Sequence, residues 1–105
     1  LKDTTHYKIR TLIVDDEALA RRGLVIRLQD VDDIHIIGEA VHGREALRLI
    51  RSLQPDLIFL DIQMPGMNGF DLVRELTPEE TPFIIFVTAF DQYAINAFEA
   101  NAVDY

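Results

Sequence analysis

Three carboxylates and one hydroxyl carry the chemistry that this sequence can support. Asp15 and Asp16 directly follow the apolar run Leu12-Ile13-Val14, Asp61 follows Leu57-Ile58-Phe59-Leu60, and Thr88 follows Phe83-Ile84-Ile85-Phe86-Val87. Short continuous apolar runs suit strands buried on both faces of a parallel sheet. The residue after such a strand emerges at its carboxyl end, where open α/β sheets place their ligands. Anions gathered there at ~4 Å repel by ~4 kcal/mol per pair at an effective dielectric near ~20. Either one carboxyl keeps a proton or a divalent cation binds. Hard oxygen ligands with water in the remaining positions suit Mg²⁺, which also takes phosphate oxygens. The Thr88 hydroxyl and the Ala89 N–H could donate to an oxyanion. A phosphoryl group on Asp61 would then give Mg²⁺ and Thr88 a shared ligand. Plainer readings stay open for each residue alone: Asp61 as the cap of a turn, and Asp15 or Asp16 as a helix cap. Capping uses one Asp rather than two and leaves Asp61 unexplained.

The elements that must position these groups alternate along the chain. Residues 1–8 form a polar lead-in, and a single domain spans 9–105. Strands are expected at 9–14, 34–40, 57–60 and 83–87. Helices are expected at 18–29, 43–53, 70–76 and 92–101, and an extended start of a fifth strand at 103–105. The first helix repeats Ala20, Leu24 and Leu28, with Arg21, Arg22 and Arg27 placed to face water, and the second sets Ala46, Leu47, Ile50 and Leu53 on one face. Pro55 turns Gln54 away from helical backbone and ends the second helix. Alternating strands and helices with apolar strands argue for an α/β fold, a doubly wound parallel sheet with helices on both faces.

Composition narrows the function. A chain of 105 residues makes one domain. Without cysteine, disulfides and thiolate metal sites are excluded. The net charge of −8 repels phosphate backbones, so direct nucleic-acid binding by this segment is not expected. No basic residue follows Arg74, whereas Glu75, Glu79, Glu80, Asp91, Glu99 and Asp104 do. No apolar run reaches the roughly 18 residues of a membrane span, and no signal-peptide core is present, so a cytoplasmic setting is expected. His6, His35 and His42 have no ligand spacing and read as surface or loop residues. Phe86, Phe90, Tyr93 and Phe98 read as packing, and Arg44, Arg48 and Arg51 as a solvated helix face.

Asp15-Asp16-Glu17 after a strand, Asp61-Ile-Gln-Met-Pro-Gly-Met-Asn-Gly69, and Thr88-Ala89 together resemble the receiver domain of bacterial two-component response regulators. Residues 86–105 are especially similar to receivers that precede a LytTR-type DNA-binding domain. The resemblance covers residues 8–105, and its motifs are specific jointly rather than singly. It implies a flavodoxin-like sheet of order 2-1-3-4-5. It implies that Asp61 is the phosphoacceptor of a sensor histidine kinase, and that Asp15, Asp16, Asp61 and the backbone carbonyl of Gln63 hold Mg²⁺. Thr88 would be the switch hydroxyl, Tyr105 the switch aromatic, and Pro65 and Gly69 would shape the loop beside the acceptor. The output would be a C-terminal DNA-binding domain, and the role is signalling rather than enzymatic.

The family places a lysine three residues beyond the switch aromatic, and this chain stops at Tyr105. A piece of a longer regulator is therefore expected, with the fifth strand only begun and the fifth helix absent; a naturally short receiver is the alternative. Either way an apolar sheet face of several hundred Å² is expected to be exposed, and with it a homodimer, by exchange of elements. Two rival functions fit the residues less well. A haloacid-dehalogenase-like phosphatase would need Asp-x-Asp after the first strand, a basic residue and a cap, where this chain has Asp15-Asp16-Glu17. A phosphate-independent receiver-like interaction module would not need the intact Asp15, Asp16, Asp61 and Thr88.

Overall fold

The computed structural model describes residues 7–87. Four strands, β1 (Ile9–Val14), β2 (Ile34–Ala40), β3 (Leu57–Asp61) and β4 (Phe83–Val87), alternate with α1 (Ala18–Leu28), α2 (Gly43–Leu53) and α3 (Gly69–Glu75). The sheet is parallel throughout, in the order β2-β1-β3-β4. This is the flavodoxin-like arrangement, with chain order reversing between β1 and β3. The fourth helix and fifth strand expected at 92–101 and 103–105 lie outside the described residues.

Register assigns each strand residue to a face. Leu12, Ile58 and Ile84 pair in one row, and Val14, Leu60 and Phe86 in the next. Side chains alternate along a strand, so both rows share a face. That face holds the main core, where they pack with Ala46 and Ile50 of α2 and Leu72 of α3. The opposite face carries the rows Thr11-Leu57-Phe83 and Ile13-Phe59-Ile85. Phe83 is exposed, Val87 is partly so, and Phe59 and Ile85 are half-buried.

Helix α1 lies over this second face: Ala20, Leu24 and Arg27 line a cavity with Ile13 and Phe59. None of its residues is buried, and Leu19 is 85% exposed. Leu24 and Leu28 are half-buried as the sequence periodicity predicts, but Ala20 is exposed. Among the described residues no second helix shares this face with α1. It also ends one residue earlier than expected, with Gln29 as its C-cap.

Helix ends explain the other differences. Helix α2 buries Ala46 and Ile50, and stops where Gln54 takes φ 50° before Pro55. Its start is capped by His42, whose Nδ1 accepts from Glu45 N–H at 3.2 Å, while Glu45 Oε1 accepts from Val41 N–H at 2.8 Å. His42 is thus more than the loop residue it reads as. Helix α3 starts one residue earlier than expected because Asn68 and Asp71 form a reciprocal capping box.

Polar ties fix the opposite end of the sheet. The Arg10 guanidinium donates to the carbonyls of Leu53 and Gln54 at 2.7 and 2.8 Å. Asp56 accepts from Arg10 N–H at 2.9 Å and from the Tyr7 hydroxyl at 3.2 Å. Lys8 Nζ donates to Asp32 O at 2.6 Å, so these last two residues of the lead-in are anchored. Arg51 keeps to the solvated face assigned to it and pairs there with Glu80 at 2.9 Å, tying α2 to the segment before β4.

Candidate functional site

Asp15 and Asp16 leave β1 at its carboxyl end, and Asp61 is the last residue of β3, paired beside β1. Oxygen atoms of the three carboxylates all lie within 4.8 Å of one another. The local turn bonds of the plainer reading are present as well. Asp15 Oδ1 accepts from Glu17 N–H at 2.9 Å, and Asp61 Oδ1 from Gln63 N–H at 3.1 Å. They hold the side chains without explaining the convergence. Glu17 occupies the N-cap of α1 and makes no side-chain cap bond, so neither Asp15 nor Asp16 fills that position.

Asp15 is fixed on three sides. Its N–H donates to Ala40 O of β2 at 3.1 Å, its carboxylate takes the Glu17 bond, and its carbonyl accepts from an Arg21 guanidinium nitrogen at 2.8 Å. Asp61 is fixed by the strand ladder and by the loop behind it. Gly69 N–H donates to Ile62 O at 3.0 Å, and a Cβ at Gly69 would lie 2.7 Å from Asp61 O. Only glycine permits so close an approach of loop to strand. The same loop rests on the start of α2, where Met67 covers Gly43 so closely that a Cβ there would sit 2.7 Å from Met67 Cβ. Gly66 takes φ 76° at the loop's tip, the turn that Pro65-Gly66 signals.

Electrostatics follow from this geometry. Burial pushes the Asp61 carboxyl up to about 7, with Asp15 the next largest cause and the Gln63 N–H opposing. Burial also raises Asp15, against the Glu17 N–H bond that lowers it. The site therefore retains a proton near neutrality unless a cation takes its place. The donor set fits Mg²⁺. All three donors are hard carboxylate oxygens gathered within 4.8 Å, the ligand type that Mg²⁺ takes. Asp16 is exposed, which leaves room for water ligands.

Gln63 is exposed and lines a cleft of about 460 Å³ with Asp16, Met64, Pro65, Asn68 and Phe70. Phe70 meets the buried Phe86 edge-to-face at 5.1 Å, which seats one wall of the cleft on the core. Thr88 and Tyr105 lie outside the described residues, as do Phe90, Tyr93 and Phe98. Val87, the residue before Thr88, pairs with Asp61. Arg21, which the helical period sets toward water, turns inward instead, with its side chain 17% exposed, because Asp15 O and Glu39 take its donors. Sequence reading missed Met67 with Gly43, and the Asn68–Asp71 box. Only the last carries a spacing signal, a capping residue followed three positions on by a carboxylate.

Comparison with known proteins agrees with this fold. The family model described as the response regulator receiver domain matches residues 11–105. The chain is 55% identical over 97 residues to the transcriptional regulatory protein BtsR of Salmonella typhi, covering 92% of this chain and 41% of that protein. It thus spans about two fifths of the length of the curated relatives it matches. The signal receiver domain of the putative response regulator NarL from Mycobacterium tuberculosis superposes with a TM-score of 0.83 at 32% identity, covering 93% of this chain and 82% of that one. A structure of the P1 domain of CheA3 in complex with CheY6 from R. sphaeroides matches with a TM-score of 0.79 at 28% identity, covering 93% and 80%.

Proposed function

Because the chain belongs to the response regulator receiver domain family, we propose that Asp61 accepts a phosphoryl group from a sensor histidine kinase and that the modified domain controls a DNA-binding output. The observation that carries this reading is the convergence of Asp15, Asp16 and Asp61 within 4.8 Å at the carboxyl ends of the two strands flanking the order reversal.

An Asp61 carboxylate oxygen attacks the phosphorus, the phosphorus–nitrogen bond of the donor's phosphohistidine breaks, and the electron pair returns to the imidazole. Asp61 must be ionised to attack, and the cleft beside Asp16 and Gln63 admits the donor. The Gln63 N–H and the Gly69 packing hold the carboxylate in place as it reacts. Asp15, Asp16, Asp61 and the Gln63 carbonyl are the residues that would hold Mg²⁺. When bound, Mg²⁺ supplies positive charge against the anionic oxygens of the transferring group. Thr88 serves as the switch hydroxyl and Tyr105 as the switch aromatic.

The matched relatives are transcriptional regulators longer than this chain, which supports an output domain that follows the receiver. We assign that output to the LytTR type on the likeness of residues 86–105. The P1–CheY6 complex supports docking on a kinase-side domain. Action in the cytoplasm goes with the receiver family reading; no helix among the described residues is long and apolar enough to cross a membrane. Exposed Phe83 and Val87 favour a homodimer by element exchange, and a mass that does not change with concentration would refute it.

Intact mass after incubation with Mg²⁺ and a small phosphodonor tests the acceptor. The expected result is one phosphoryl adduct on the parent and none on Asp61→Asn. Absence of an adduct on the parent would instead favour the phosphate-independent interaction module.

A further inference from the structure

The residue that aims the carboxylate pair lies outside it. Arg21 sits one turn into α1, and its side chain is only 17% exposed. One guanidinium nitrogen donates to the Asp15 carbonyl at 2.8 Å, and Nε pairs with Glu39 Oε1 of β2 at 3.2 Å. The Asp15 carbonyl belongs to the peptide unit that joins Asp15 to Asp16. A charge-assisted bond to it therefore fixes the plane from which both side chains depart. Arg21 thus ties together α1, the turn after β1, and β2. Glu39, on the far side, offsets the guanidinium charge.

We propose that Arg21 is the positioning residue of the carboxylate site, holding Asp15 and Asp16 in the orientation that binds a divalent cation. The proposal rests on the reading of that site as a Mg²⁺ site. It has an unusual consequence in sign. Judged by charge alone, Arg21 opposes a cation, and its removal tightens binding. Judged by geometry, its removal frees the peptide between the two ligands and weakens binding. Side chains that orient metal ligands commonly contribute roughly 10–100-fold in affinity. The geometric effect is expected to win, because Glu39 already pairs with the charge.

The experiment is Mg²⁺ titration by calorimetry at pH 8 on the parent, Arg21→Met and Arg21→Lys, with thermal unfolding in EDTA measured separately. Arg21→Met keeps the apolar stem and removes the charge. It is expected to raise Kd by roughly 10-fold. Arg21→Lys keeps the charge but cannot serve both Asp15 and Glu39, and is expected to fall between. A merely structural role lowers the melting temperature in EDTA and leaves the Kd of the folded protein unchanged. An Arg21→Met Kd equal to or below the parent's overturns the proposal. Should Arg21→Met fail to fold, Arg21→Lys decides, and a parental Kd there overturns it. If the parent itself binds no Mg²⁺, the reading of the site fails, and this inference with it.

Discussion

Asp61 stabilises the fold least when it is charged, and its replacement by Asn should reveal how much. The Asp61 carboxyl rises from an ordinary 3.8 to about 7, chiefly through burial and secondly through Asp15. A folded-state value above the unfolded one means that the native protein binds the extra proton between these limits. The favourable contribution is fully present below pH 3.8 and is lost as pH rises through about 7. Taken whole, the shift corresponds to ~4 kcal/mol against the folded state above pH 8; solvent access to this half-buried carboxylate reduces that to about 2 kcal/mol. Asn keeps the shape and an acceptor oxygen for the Gln63 N–H, and removes the charge. Urea unfolding in EDTA at pH 8 should show Asp61→Asn more stable than the parent by about 2 kcal/mol. The gain should shrink to less than half of that at pH 5, where the native carboxyl is already protonated. Saturating Mg²⁺ should stabilise the parent and leave the variant nearly unmoved. A variant equal to or less stable than the parent at pH 8, or a gain independent of pH, would refute the electrostatic account of the site.

Gly69→Ala should cost ~1–3 kcal/mol in urea unfolding, because its Cβ meets strand backbone that cannot turn aside. The same variant should lose most phosphoryl uptake by intact mass even at a temperature where it is folded. Gly43→Ala sets its Cβ 2.7 Å from Met67 Cβ, an atom tied to the backbone, so it should cost ~1–3 kcal/mol as well, and Met67→Gly, which removes that atom with the rest of the side chain, should relieve part of the cost in a double-mutant cycle. His42→Ala should lower stability by ~1 kcal/mol through loss of the α2 cap, and His42→Asn should restore it.

The parallel α/β class and the three carboxylates were legible because both rest on patterns of single residues, apolar runs that end abruptly at Asp, whereas the strand order came from the resemblance to receiver domains. Strand bounds agree closely, since a buried strand is marked by its own side chains. The helix starts were harder. Asn68 extends α3 because its side chain bonds Asp71, and His42 caps α2 although histidine seldom reads as a cap. Ala20 follows the helical period and still faces solvent, because burial depends on what lies opposite, which periodicity does not encode. Arg21, set toward water by the same period, turns inward for a similar reason. Its contacts reach a main-chain carbonyl six residues back and a strand eighteen residues on, and neither leaves a mark in the sequence.

The site hangs from parts of unequal durability. Asp15 and Asp61 continue β1 and β3, the two interior strands of the described sheet, where Val14 and Leu60 are essentially inaccessible. Pulling them apart requires opening the cooperative unit itself. Helix α1, which begins two residues after Asp16, buries nothing fully and can open at far lower cost. Amide hydrogen exchange should therefore divide the site in two, with Val14 and Leu60 exchanging only through global unfolding and the first turn of α1 much faster. Such a division gives the carboxylate pair across β1 and β3 a fixed spacing, while Asp16, oriented through Arg21 only as long as the first turn of α1 stays closed, yields when that turn opens.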